Sequence, residues 1–169
     1  SNDSLYTQLA WQNNDSILNA GELQASTRFF KENDLTSARI NINPTQFILS
    51  DSVWDIGASQ ITVNPDSTLD IQKFKIHKND QYILIDGLLS RNNSDVLEVE
   101  MNEIDIDYIL SLIRFNPIPV KGKATGIASI HGVLRQPIFE SNLYVKNAYL
   151  NNSLLGDAYI FTGWERNNS

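Results

Sequence analysis

The stretch QYILIDGLLSRNNSDVLEVEMN, residues 81–102, decides the fold. Asp86-Gly87 is a strong two-residue hairpin signal, but a turn there leaves only Leu88, Leu89 and Ser90 as a returning strand before the next turn-forming run, RNNSD (91–95). A strand from Gln81 to Ser90, turned by RNNSD and returned by VLEVEMN (96–102), yields two partners of matched length. The returning strand alternates, with Leu97, Val99 and Met101 on one side and Glu98 and Glu100 on the other, the pattern of a sheet with one apolar and one polar face. Gly87 then marks a bulge or close approach inside a strand. Along 81–90, Ile83, Ile85 and Leu89 form one apolar side and Tyr82, Leu84 and Leu88 the other. The sequence leaves open which side faces the apolar interior.

Reading outward, alternating and β-branched runs predict strands at 5–11, 22–30, 37–43, 46–50, 53–57, 59–63, 68–77, 122–134, 138–150 and 154–164. Turns such as NPDS (64–67) and NNS (151–153) separate them, rich in residues that tolerate left-handed or Asx geometry. One segment departs from this rhythm. In NEIDIDYILSLIRFNP, Ile106, Ile109, Leu110 and Ile113 recur at helical spacing, Asp105 is placed to cap and Pro117 to stop. The expectation is one short amphipathic α-helix near 105–114, its stripe covering an end or face of the sheet. The whole reads as a single β-rich unit, 1–169, with a subdivision at 103–118.

Composition narrows the function classes. The 169 residues carry a formal charge of −7, which argues against nucleic acid and against simple docking on anionic headgroups. There is no cysteine, so disulfides and thiolate chemistry are excluded. No apolar run is long enough to span a bilayer. The opening Ser1-Asn2 reads as the scar of a cleaved tag, and the chain as a fragment of a larger protein.

Chemical motifs are sparse. His77, Asp86 and Ser90 make a Ser-His-Asp set on paper, without a nucleophile elbow around Ser90. Glu98, Glu100, Glu103, Asp105 and Asp107 lack the spacing of a calcium loop. Gly122, Gly126 and Gly132 sit in an alternating pattern, not at a strand-to-helix phosphate loop. Trp11, Trp54 and Trp164 would serve a sugar-stacking platform in a β-sandwich carbohydrate-binding module, or a protein-interaction module, as an alternative reading. No catalytic residue, metal ligand or cofactor is expected. A loose repeat, comparing FKIHKNDQYILIDGLLS with FESNLYVKNAYLNNSLLGDAYI, points to an elongated antiparallel sheet.

Over roughly residues 45–164, the succession SVWDIGASQITV, LDIQKFKIHKNDQYILIDGLLS, DVLEVEMNEIDIDYIL and VKGKATGIASIHGVLRQPIFESNLYVKNAYLNNSLLGDAYIFTGW resembles translocation and assembly module proteins of the TamB type. The likeness is to Bacteroidetes sequences, within the AsmA-like repeating β-groove group. The resemblance implies a curled, solenoid-like open trough with an apolar lining. It also implies a periplasmic location in a Gram-negative bacterium, in a parent protein anchored in the inner membrane. Expected partners are then phospholipid acyl chains and an outer-membrane β-barrel assembly partner or client, in outer-membrane protein assembly, intermembrane phospholipid transport, or both. Ile83, Ile85, Leu89, Leu97, Val99 and Met101 are the candidate groove-lining set, and Ile106, Ile109, Leu110 and Ile113 the helix's apolar face.

Overall fold

The computed structural model describes residues 4–32, 34–107 and 119–163. They form twelve strands in one sheet: β1 (Ser4–Gln12), β2 (Ala20–Glu32), β3 (Leu35–Ile42), β4 (Thr45–Leu49), β5 (Ser52–Ile56), β6 (Ser59–Val63), β7 (Leu69–Lys78), β8 (Gln81–Leu89), β9 (Val96–Asp105), β10 (Val120–His131), β11 (Ile138–Leu150) and β12 (Ser153–Thr162). The fold is mostly antiparallel β and open, not a closed barrel. All described strands share the one sheet, so a two-sheet sandwich is not what they build.

The connectivity is a plain meander. β3 and β4 both pair with β2, and β5 and β6 both pair with β7. Each pair is one long strand interrupted, at Asn43-Pro44 and at Gly57-Ala58. Proline has no N–H to give a ladder, and the facing interruption matches it, since Ile42 pairs with Ser59 and Thr45 with Ile56. Twelve strands therefore occupy ten positions, each bonded to its neighbours in sequence, with β1 and β12 outermost.

The 81–102 stretch is β8 and β9, and Tyr82 pairs with Asn102 at one end and Gly87 with Leu97 at the other. Asp86-Gly87 lies inside β8. Strand limits fall within a few residues of those expected. β9 runs on to Asp105, and β10 stops at His131 because Gly132 turns the chain (φ 57°) with Arg135 N–H donating to its carbonyl. Ile106 and Asp107 begin a helical turn after β9; the rest of the expected helix, with Ile109, Leu110 and Ile113, lies outside the described residues.

Three bulges of one design bend the sheet. In the first, Gln72 and Lys73 of β7 stand opposite Asp86 of β8; Lys73 is left-handed (φ 50°) and its N–H donates to Asp86 Oδ1 at 2.8 Å. In the second, Asn102 and Glu103 of β9 face Thr125 of β10, with Glu103 at φ 53° donating to Thr125 Oγ1 at 3.0 Å. In the third, Lys146 and Asn147 of β11 face Asp157 of β12, with Asn147 at φ 51° donating to Asp157 Oδ1 at 3.0 Å. An extra residue leaves one N–H without a ladder partner, and a side chain from the opposite strand supplies it. Two of these acceptors precede a glycine of positive φ, Gly87 (116°) and Gly126 (144°). A Cβ on either would run into a backbone carbonyl across the ladder, that of Val96 or Asn142. Bulges raise local twist and bend strands, so a bulge on alternate strands β7, β9 and β11 curls the sheet.

The buried core is small and off-centre. Met101, Ile104, Ile106, Ala124, Val145 and Ala148 form it, from β9 to β11, with Val145 fully buried. Trp54 of β5 packs against that cluster. β5 is three strand positions from β9, roughly 14 Å of flat sheet at about 4.8 Å per strand, so the contact requires curvature toward this face.

Candidate functional site

The site is the concave apolar face. Antiparallel partners share a face, so the registers trace it across the molecule. One row runs Ile56, Ile76, Ile83, Met101, Gly126, Leu143, Ile160. A second runs Leu5, Thr27, Ile40, Ile61, Ile71, Gly87, Leu97, Ile130, Phe139. Between them lie Phe74, Ile85, Val99 and Ala128. Most of these side chains are half-buried, neither sealed in a core nor open to solvent.

The expected lining residues Ile83, Ile85 and Leu89 fall on this face, opposite Met101, Val99 and Leu69 respectively, and Leu97 joins them opposite Gly87. Tyr82 and Leu84 stand on the other face, opposite Asn102 and Glu100. Ile106 is buried in the core cluster.

At one end the trough deepens into a cavity of about 610 Å³, bordered by Phe47, Trp54, Ile76, Ile83 and Ile104, with Lys78, Asp105, Asp107, Lys121 and Lys123 nearby. Six strands from β4 to β10 contribute to it, which only a curled sheet permits. Lys123 pairs with Asp105 at 3.1 Å and Lys78 Nζ donates to Ser52 Oγ at 2.9 Å, so the charges stand at the rim. An aromatic wall approaches from the β1 side: Trp11 pairs with Gly21, Gly21 with Phe47, and Phe47 with Trp54. Gly21 is required there, because a Cβ would meet the Trp11 ring at 2.5 Å and Phe47 Cβ at 2.6 Å. Trp11 and Phe47 lie 6.4 Å apart, tilted by 49°. Trp11 and Trp54 thus line the trough's face, and Trp164 lies outside the described residues.

The convex face mixes hydrogen-bonded polar pairs with exposed apolar groups such as Val53, Ile127 and Phe161. Tyr82 donates to Glu100 at 2.5 Å, and that bond, with some desolvation, pushes its hydroxyl above the ordinary range. Tyr144 donates to Asp157 at 2.6 Å, which raises the hydroxyl to about 12. The same bond, with the Asn147 N–H, holds the Asp157 carboxyl below the usual carboxylate range.

The paper triad is not assembled. His77 pairs with Tyr82, four residues from Asp86 along β8, while Ser90 is a buried turn residue whose hydroxyl donates to Asp95 at 2.7 Å and accepts from Asn92 N–H. The acidic run is dispersed: Glu98 and Glu100 on the convex face, Glu103 in a bulge, Asp105 against Lys123. Among the described residues, no group of three or more His, Asp or Glu side chains is placed to hold a metal. The residues that sequence reasoning missed are the bulge acceptors Asp86, Thr125 and Asp157; the signal was a polar residue beside a glycine inside a strand, at Asp86-Gly87, Thr125-Gly126 and Gly156-Asp157. No family model, no curated protein and no solved structure matches the chain.

Proposed function

We propose that this chain is a non-enzymatic β-scaffold segment of a TamB- or AsmA-like protein of the Gram-negative cell envelope, working in the periplasm. Its trough takes up phospholipid acyl chains, within intermembrane lipid transport or outer-membrane protein assembly. The observation that carries the reading is the row from Leu5 to Phe139, apolar except at Thr27 and Gly87, exposed at its two ends and half-buried or buried between them along a concave face. Away from the cluster around Met101 and Val145, the described residues lay no second layer over this face. A half-buried apolar face of this length is an interaction surface. Each acyl methylene laid into it gains about 0.8 kcal/mol, so a lipid tail needs no specific polar contact to bind. The charged rim at Lys78, Lys121 and Lys123 lies where a headgroup meets water.

The test is native mass spectrometry with lipid extraction on chain purified from Gram-negative cells. Retained phospholipid that is lost on Ile83→Asp, with the fold intact by circular dichroism, supports the proposal. Lipid-free protein that also fails to take up phospholipid from vesicles refutes it.

A further inference from the structure

We propose that the cavity margin formed by Lys78, Lys121 and Lys123 selects phospholipids whose headgroup is net negative, such as phosphatidylglycerol, over zwitterionic ones such as phosphatidylethanolamine. This rests on the reading of the trough as a lipid site and names the class of lipid that it takes.

The first observation is where the cations stand. The cavity of about 610 Å³ has Trp54, Ile76, Ile83 and Ile104 among its apolar walls, while its charged groups come from strand ends on one margin. Lys78 closes β7, Asp105 closes β9, and Lys121 and Lys123 lie in the first turns of the ladder of β10. An amphiphile with its tail against those walls has its headgroup at these ammonium groups.

The second is how little of that charge is neutralised. Lys123 pairs with Asp105 at 3.1 Å. Lys78 Nζ donates to a neutral hydroxyl, Ser52 Oγ, at 2.9 Å, and an ammonium has two further hydrogens to give. Lys121 is exposed and makes no hydrogen bond or ion pair with the described residues. Asp105 and Asp107 are the carboxylates lining the cavity, two against three lysines. Lys146 of β11 adds to the excess, because it stands directly opposite Lys123, a placement of like charges that costs a sheet stability. Asp157 nearby is already occupied, accepting from the Tyr144 hydroxyl and the Asn147 N–H.

The chemistry then separates headgroups. An ammonium binds phosphate as a point charge, and each lysine beside an anionic headgroup contributes about fivefold in affinity. Ethanolamine brings its own ammonium among these lysines, which offsets the attraction of its phosphate. The overall charge of −7 disfavours docking on an anionic membrane surface. Salt confines that field to about 8–10 Å, so the local excess governs one headgroup at this margin.

The test incubates lipid-free chain with vesicles of equimolar phosphatidylglycerol and phosphatidylethanolamine, re-isolates the protein and quantifies extracted lipid by mass spectrometry. The expected result is phosphatidylglycerol enriched about fivefold, the share of the one unpaired lysine, Lys121. In Lys121→Gln, with native circular dichroism, the ratio falls to that of the vesicles at unchanged total lipid. Lys121→Arg keeps the enrichment, and so does Lys75→Gln on the convex face. Lipid bound at the vesicle ratio, or enrichment that survives Lys121→Gln, overturns the selectivity and leaves the trough reading standing. No bound lipid at all overturns both. Inorganic phosphate titrated into the lipid-free chain in a calorimeter gives no binding heat; phosphate binding that Lys121→Gln abolishes assigns the margin to a free anion and overturns the proposal.

Discussion

Replacing Val145 and Ile61 by alanine, separately, distinguishes an open trough from a filled core. Val145 is fully buried among Ala124, Met101 and Ile104. Val145→Ala deletes two carbons, about 1.6 kcal/mol at about 0.8 per buried carbon, and leaves a closed cavity worth roughly 1 kcal/mol more, for a total of roughly 2.5 kcal/mol. Ile61 is half-buried on the trough wall. Ile61→Ala deletes three carbons, but at half burial the transfer loss is about 1.2 kcal/mol, and no cavity forms in a space already open. The smaller deletion is therefore the costlier one, by roughly 1 kcal/mol. Urea unfolding of the lipid-free chain reads this as a larger drop in midpoint for Val145→Ala at unchanged slope. An Ile61→Ala loss equal to or above that of Val145→Ala would mean that the trough is packed, and the reasoning fails.

The bulges and the convex face carry further predictions. Gly126→Ala puts a Cβ into the Asn142 carbonyl at a φ of 144° and lowers stability by at least about 2 kcal/mol, seen as a fall in urea midpoint. Thr125→Val leaves the part-buried Glu103 N–H without its acceptor and costs about 1 kcal/mol, whereas Thr125→Ser restores it in the same titration. Tyr144 titrates near 12 against an ordinary 10.0, so its hydrogen bond contributes stability below pH 10 that disappears as pH rises toward 12. NMR titration of Tyr144 shows that midpoint, and Asp157→Asn moves it back down. Asp157 contributes in the opposite sense: its lowered value gives stability above the usual carboxylate range, lost as pH falls through the lowered value.

Much of the fold was legible because a meander needs only local signals. Leu97, Val99 and Met101 alternating with Glu98 and Glu100 placed β9 and its faces, and RNNSD placed the turn before it. Asp86-Gly87 was the ambiguous element, and relative strand lengths resolved it. What was not legible was which side of β8 turns inward: Tyr82, Leu84 and Leu88 are as apolar as Ile83, Ile85 and Leu89, and only the β9 partners separate them. The bulge acceptors were hidden for a related reason. Asp86 and Thr125 look like ordinary convex-face residues until the register shows an extra residue opposite each. The aromatic wall was missed because Trp11 is far in sequence from Phe47 and Trp54, which pair directly across β4 and β5, and reaches them only across Gly21.

If the trough takes up lipid tails as proposed, they meet its apolar face and not the convex one. Site-specific photocrosslinking in Gram-negative cells addresses it, with a benzophenone residue at Ile61 or Phe74 in the trough and at Gln60 or Lys75 on the opposite face. The expected result is phospholipid adducts at Ile61 and Phe74 and none at Gln60 or Lys75. Adducts on both faces alike, or on neither, contradict it.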